Sequence, residues 1–232
     1  MFIDSYEVIL LDQSRTFMFG VDRFGPGEDY SQTYRRIGGA TLSDKSVNEA
    51  VSSIFKALLD AYENRERDND FPAVRQAIGE VGLNISDSDI ELLDDLVAEH
   101  EIGAVPDGHW SAIHRLAGSH RLGIISNIWA QPARFEHNLQ NAGIFECFEH
   151  IVWSSEFGKS KPSPDLFEAA LDYWNLEPHP ILYVGDNPVR DVCGAKTAGM
   201  GCVWVNVASS ELPDGCPNPD LVIAELPDLV SK

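Results

Sequence analysis

The chain has 232 residues, 44% of them hydrophobic and 23% charged, an ordinary globular composition that excludes a disordered or fibrous polymer. Its 37 acidic and 17 basic side chains give a formal charge of −20, which excludes a long-range attractive field for nucleic acid or anionic lipid. No apolar run approaches the length of a membrane span.

A short apolar segment, Val8-Ile9-Leu10-Leu11, runs into Asp12 and reads as a buried strand ending in a polar loop. From about Phe19 to Ala104 the period becomes helical. Val47, Ala50, Val51, Ile54, Phe55, Leu58, Leu59 and Tyr62 recur at helical spacing behind a cap at Ser43 or Asp44. Further helices are expected near Phe71 to Val81 and from Ser86 or Asp87 through Glu99, where Ser88 and Glu91 also fit a capping box. The charge-dense run Glu63 to Asp70 reads as a solvated helix end or interhelical loop. No strand signal interrupts this segment.

After Pro106-Asp107-Gly108, helix and strand alternate. A helix to about Ala117 precedes strands at Leu122-Gly123-Ile124-Ile125, His150-Ile151-Val152-Trp153, Ile181-Leu182-Tyr183-Val184, Cys202-Val203-Trp204-Val205 and Leu221-Val222-Ile223. Continuously apolar strands in that rhythm predict a parallel sheet with helices on both faces. The expected fold is α/β, a Rossmann-like core of residues 1–18 and 105–232 with an all-helical insertion over 19–104. Cys147, Cys193, Cys202 and Cys216 form no C-x-x-C pair, and no leader-like pattern opens the chain, so a reduced, cytoplasmic protein is expected.

Polar residues gather where these strands, or the connections after them, end: Asp12, Ser126-Asn127, Lys161, and Asp186 with Asp191. Beyond the carboxyl ends of parallel strands such residues converge in one crevice. Taken singly, Asp12 and Ser126 could be turn or cap residues, Asp191 a helix cap near Val192, and Lys161 an exposed cation. Taken in order, they resemble the haloacid dehalogenase-like superfamily across nearly the whole chain.

Asp12-Gln13-Ser14-Arg15-Thr16 resembles the family's first motif, D-x-D-x-T, with Ser14 at the second aspartate. Ser126 stands at the second motif, a Ser or Thr at the end of a strand. Gly158-Lys159-Ser160-Lys161-Pro162-Ser163-Pro164 is similar to the third, the lysine segment. Val184-Gly185-Asp186-Asn187-Pro188-Val189-Arg190-Asp191, continuing into Gly194-Ala195, is the most specific match. The insertion sits where the family places a cap.

The resemblance implies a phosphoric monoester hydrolase in which Asp12 attacks phosphorus and forms an aspartyl-phosphate. It assigns Mg²⁺ to Asp12, Asp186 and the backbone carbonyl of Ser14. Lys161 serves both catalysis and phosphate binding, and the phosphate-binding set comprises Thr16, Ser126, Asn127 and Lys161, with Thr16 chiefly ordering the loop. Asp191 supports the metal shell or pairs with Lys161. Family phosphatases use an aspartate at the Ser14 position to protonate the leaving group, and a serine hydroxyl is a poor substitute. Two alternatives follow: a 2-haloacid dehalogenase, which needs no such acid, or a weakly active protein that binds or regulates. Retention of Asp186 favours the metal-dependent phosphatase. Arg35-Arg36 reads as a pair of surface residues in preference to a substrate clamp. The expected partner is a small-molecule substrate, with no nucleic acid or membrane, and the protein a monomer or homodimer.

Overall fold

The computed structural model describes residues 2–207 and 210–231. Six strands, β1 (Val8–Leu11), β2 (Arg121–Ser126), β3 (His150–Trp153), β4 (Ile181–Gly185), β5 (Gly201–Val205) and β6 (Leu221–Ile223), lie at the six expected apolar runs. They form one sheet in the order β3-β2-β1-β4-β5-β6, and every neighbouring pair is parallel. Between β1 and β2 come α1 (Tyr30–Arg36), α2 (Asp44–Glu63), α3 (Val74–Glu80), α4 (Asp87–Glu101) and α5 (Asp107–Ala117). Helix α6 (Ala133–Asn141) follows β2; α7 (Ser154–Phe157) and α8 (Pro164–Trp174) follow β3; α9 (Cys193–Thr197) follows β4; and α10 (Leu226–Leu229) follows β6.

All four residues of β1 are buried because both faces of the sheet are covered. Ile9 and Leu11 join a core with Ile113 and Leu116 of α5, Phe135 and Leu139 of α6, and Leu226 of α10. Val8 and Leu10, pointing the other way, join Leu166, Phe167 and Ala170 of α8 and Ala195 of α9. The chain crosses from β3 at one edge to β4 on the far side of β1, so the loops after β1, β2 and β4 open into a common crevice.

Helices α1 to α4 fill the segment between β1 and α5. Phe19 and Ala104 meet in an antiparallel bridge, with N–H···O distances of 2.9 and 2.8 Å. A Cβ on the adjacent Gly103 would stand 2.1 Å from the Phe19 carbonyl oxygen, so a side chain there would force this neck apart. Ser43 caps α2, accepting from Ser46 N at 3.1 Å. Ser86 caps α4 in the same way, accepting from Asp89 N at 3.2 Å. The Ser88–Glu91 capping box does not form, because α4 starts at Asp87 and encloses Ser88 within its first turn.

The joint between these helices and the sheet is polar. Arg190, in the π-turn Pro188–Val192, is 4% exposed; it donates to Asp68 Oδ1 at 3.0 Å, to Ser160 Oγ at 3.1 Å and to the carbonyls of Lys161 and Tyr62. Its guanidinium also stacks 3.8 Å above the Tyr62 ring. Asp68 is buried, its backbone carbonyl accepting from Ser160 N at 2.8 Å and its Oδ1 from Ser160 Oγ at 3.2 Å. The charge-dense run is therefore solvated only in part. Burying a guanidinium is costly unless its donors are matched, and here four oxygens match them. Asp68→Ala leaves that charge short of its one carboxylate, and a loss of about 3–5 kcal/mol in urea denaturation is expected. A loss below about 1 kcal/mol would show that the carbonyls alone suffice.

Candidate active site

Leu11 pairs with Ile124 of β2 and Val184 of β4, so Asp12 emerges between the ends of those two strands, its amide donating to the Val184 carbonyl at 2.8 Å. The chain turns back through Arg15, at φ 60°, and Thr16 Oγ1 donates to Asp12 Oδ2 at 3.1 Å. Lys161 enters from the loop between α7 and α8. Its Nζ lies 2.5 Å from Asp12 Oδ1, 2.8 Å from Asp191 Oδ1, 3.0 Å from the Ile125 carbonyl oxygen and 2.8 Å from the Tyr183 hydroxyl. Three ammonium protons are thus shared among four acceptors. Burial alone would lower the Lys161 pKa, but Asp12 and Asp191 outweigh it and hold the ammonium above its ordinary value.

The π-turn after β4 sets Asp191. Asn187 caps the turn, accepting from Val189 N and Arg190 N at 3.0 Å each, while Asp191 Oδ2 accepts from Asn187 N at 2.9 Å. A Cβ at position 185 would stand 2.5 Å from Asp191 Cγ, so only glycine lets the carboxylate approach the strand end.

Asp12, Asp186 and Asp191 each offer a carboxylate oxygen within 4.8 Å of the others. One lysine does not balance three carboxylates. Burial, reinforced by Asp12 and Asp191, pushes Asp186 up to about 8. Burial likewise raises Asp12 to about 6, partly offset by Lys161. Oxygen donors, excess negative charge and this spacing fit a hard divalent cation such as Mg²⁺.

A cavity of about 310 Å³ opens above Asp12. Of the sequence-predicted site residues, Asp12, Ser14, Asn127, Lys161, Asp186 and Asp191 all line it. Asn127 Oδ1 accepts from Lys161 N at 2.9 Å, and its Nδ2 is buried without a hydrogen-bond partner. Ser126 and Thr16 are fully buried behind the lining, the Ser126 hydroxyl turned to Gln13 Oε1 at 3.4 Å. Arg35 pairs with Asp44 at 2.7 Å and Arg36 pairs with Glu99, both away from this cavity.

Sequence reasoning missed four contributors. Tyr183 was legible only as a strand residue, although a hydroxyl in an otherwise aliphatic run is a usable signal. Arg190 lay inside the fourth motif with no assigned task. Trp129 carried no signal. Glu101, the last residue of α4, accepts from Trp129 N at 2.9 Å and Ala130 N at 3.0 Å, and burial pushes it up to about 8. Nothing in its local sequence announces that contact.

Residues 26–205 match the family model described as haloacid dehalogenase-like hydrolase, a span that begins after the Asp12–Thr16 loop. Phosphoserine phosphatase of Thermus thermophilus is 38% identical over 96 residues, 41% of this chain and 38% of that protein. The (S)-2-haloacid dehalogenase 2 of Pseudomonas sp. is 33% identical over 129 residues, 52% of this chain and 53% of that protein. The chain thus spans about half or less of the length of these curated relatives. Among solved structures, the 2-haloacid dehalogenase from Pseudomonas syringae pv. Tomato superposes with a TM-score of 0.67 at 22% identity, covering 97% of each chain. A phosphatase from Thermococcus onnurineus gives 0.65 at 21% identity, over 97% of this chain and 96% of the other.

Asp186 and Glu101 titrate above their unfolded values, so in metal-free protein each contributes stability that is complete below about pH 4 and is lost as pH rises through about 8. The melting temperature of the metal-free protein should therefore fall between pH 5 and pH 8. Glu101→Gln should flatten that slope, and Mg²⁺ should restore more stability at pH 8 than at pH 5. A melting temperature constant or rising over this range would contradict the electrostatics described.

Proposed function

Since this chain belongs to the haloacid dehalogenase-like hydrolase family, we propose that it hydrolyses the phosphate monoester of a small molecule through an aspartyl-phosphate on Asp12, with Mg²⁺ held beside it. The observation that carries this reading is Asp12 itself: a buried carboxylate fixed by Lys161 and Thr16 at the floor of a cavity, beside two further carboxylates. Asp12, Asp186 and the Ser14 carbonyl would hold the ion, which when bound supplies positive charge to the phosphoryl oxygens.

The chain's own residues do the rest. Thr16 anchors Asp12 Oδ2 and Lys161 anchors Oδ1, orienting the carboxylate and keeping it ionised although burial raises its pKa. The Lys161 ammonium, held by Asp191 and Tyr183, lies where negative charge gathers during attack. Asn127 Nδ2 has a free proton for a phosphoryl oxygen. Ser126, whose hydroxyl faces Gln13, contributes after a side-chain rotation. Residues 19–104 form the cap over the site, hinged at the Phe19–Ala104 neck. Ser14 provides no carboxylic acid, so turnover depends on how well the leaving group departs unprotonated.

A dehalogenase reading gains from Ser14, because halide needs no proton. It suffers because the cluster of Asp12, Asp186 and Asp191 suits a divalent cation that such a reaction does not need. The four free thiols and the acidic surface support a reduced cytoplasm and a small-molecule partner. Among the described residues no helix is long and apolar enough to cross a membrane.

Asp12→Asn should lower Mg²⁺-dependent phosphatase turnover by roughly 10³-fold or more while leaving the circular dichroism spectrum intact. Intact turnover in the folded variant would remove Asp12 from the mechanism. Ser14→Asp should raise hydrolysis of alkyl phosphates relative to aryl phosphates, approaching the 10²–10⁴-fold worth of a general acid. An unchanged alkyl-to-aryl ratio in the folded, metal-bound variant would show that more than an acid is missing.

A further inference from the structure

The cavity has two unlike ends. Its floor is the charged cluster around Asp12, whereas its far wall is aromatic. Phe55, Leu59 and Tyr62 fall at i, i+4 and i+7 on α2 and so share one face of that helix. They are the half-buried margin of an apolar stripe whose centre, Ile54 and Leu58, is fully inside the core. Trp129, just beyond β2, closes the slot, with ring centroids 5.8 Å from Phe55 at 76° and 6.3 Å from Tyr62 at 85°. Such edge-to-face contacts hold the rings against one another, and Arg190 stacked on Tyr62 holds them from the sheet side.

Charge sharpens the selection. Lys161 is committed to Asp12 and Asp191, and Arg190 to the joint between helices and sheet. The wall adds two acids, Asp22 and Glu101. A second anionic group would meet Asp22 and the crowded acids at the floor, while the remaining cation of the described lining, Arg15, is exposed and already lies in the field of Asp22 and Asp186. A single flat apolar group meets complementary surface.

The leaving-group requirement points the same way. Ser14 has no proton to give at the pKa of a carboxylic acid, so the departing oxygen must be stable as an anion, as a phenolate is. We propose that this site selects phosphate monoesters of phenols that carry no other negative charge, an inference that rests on the phosphatase reading above. An Asp12 oxygen forms a bond to phosphorus while the P–O(aryl) bond breaks and its electron pair leaves on the phenolate, which takes a proton from solvent. Water then attacks phosphorus, the bond to Asp12 breaks, and carboxylate, inorganic phosphate and a proton are released.

Binding and turnover test this separately, both with Mg²⁺ present. By calorimetry, phenylphosphonate should bind at least tenfold more tightly than methylphosphonate or 3-phosphonopropionate. Leu59→Gln should reduce the phenyl-to-methyl affinity ratio at least fivefold, with Phe55→Leu as the second variant should Leu59→Gln misfold. In turnover, kcat/KM for phenyl phosphate should exceed that for benzyl phosphate, which has the ring but a poor leaving group, and that for O-phosphoserine by at least tenfold. Equal phosphonate affinities, tighter 3-phosphonopropionate, or an unchanged ratio in the folded variants would overturn the assignment. Asp12-dependent hydrolysis of acetyl phosphate without aryl preference would overturn it while leaving the phosphatase reading in place. If no phosphate compound is hydrolysed in an Asp12-dependent way, both fall together.

Discussion

The arrangement of this protein depends on one buried ammonium. Lys161 is 2% exposed, and removing such a group from water costs several kcal/mol unless its protons find acceptors. Four segments supply them: the loop after β1 through Asp12, the end of β2 through the Ile125 carbonyl, the middle of β4 through Tyr183, and the π-turn through Asp191. Those segments must stay in register within a hydrogen-bond length. A sheet with β1 between β2 and β4 meets that demand, and Gly185 allows Asp191 close enough to take part.

The lysine also connects the floor of the cavity to its roof. The Lys161 carbonyl accepts from Arg190, whose other partners are Asp68 and the Tyr62 carbonyl on the helical side. The segment that supplies the reactive-site cation is thus tied through one guanidinium to the helix that lines the far wall. Displacing α2 would disturb Tyr62 first, then Arg190, then the backbone of Lys161. The helical wall of the cavity and the charge at its floor are consequently parts of one packed unit.

The carboxylates explain why such a site tolerates so much negative charge. Burial raises both Asp186 and Asp12, reinforced at Asp186 by Asp12 and Asp191 and at Asp12 by Asp191, and Asp191 is held by Lys161 and the Asn187 amide. Without a cation Asp186 favours protonation, and with one it favours an ionised, coordinating oxygen. The serine at position 14 adds no further carboxylate to this crowd. In the proposed reaction it leaves departure to the leaving group, and the aromatic slot suits the kind of group that can manage without a proton.

The sequence by itself determined the six strands, their parallel rhythm and the ordered appearance of Asp12, Lys161, Asp186 and Asp191, because continuous apolar runs and motif spacing are local properties. It also marked a helix start at Ser43 or Asp44, of which Ser43 is the cap, since a cap bonds within three residues. It placed the start of α4 at Ser86 or Asp87, as found, but also offered a Ser88–Glu91 capping box that does not form, because several serines and acids there compete for the same task. Only the tertiary structure decided that Asn127, with an unpaired amide, faces the cavity while Ser126 turns to Gln13; adjacent residues leaving a strand point in opposite directions, and spacing alone does not say which is which. Only the tertiary structure brought Tyr183, Arg190, Glu101 and Trp129 to the site. Their partners lie 22, 122 and 28 positions away in Lys161, Asp68 and the Glu101–Trp129 pair, and contacts at such separations follow from how the elements pack, which no local window of residues contains.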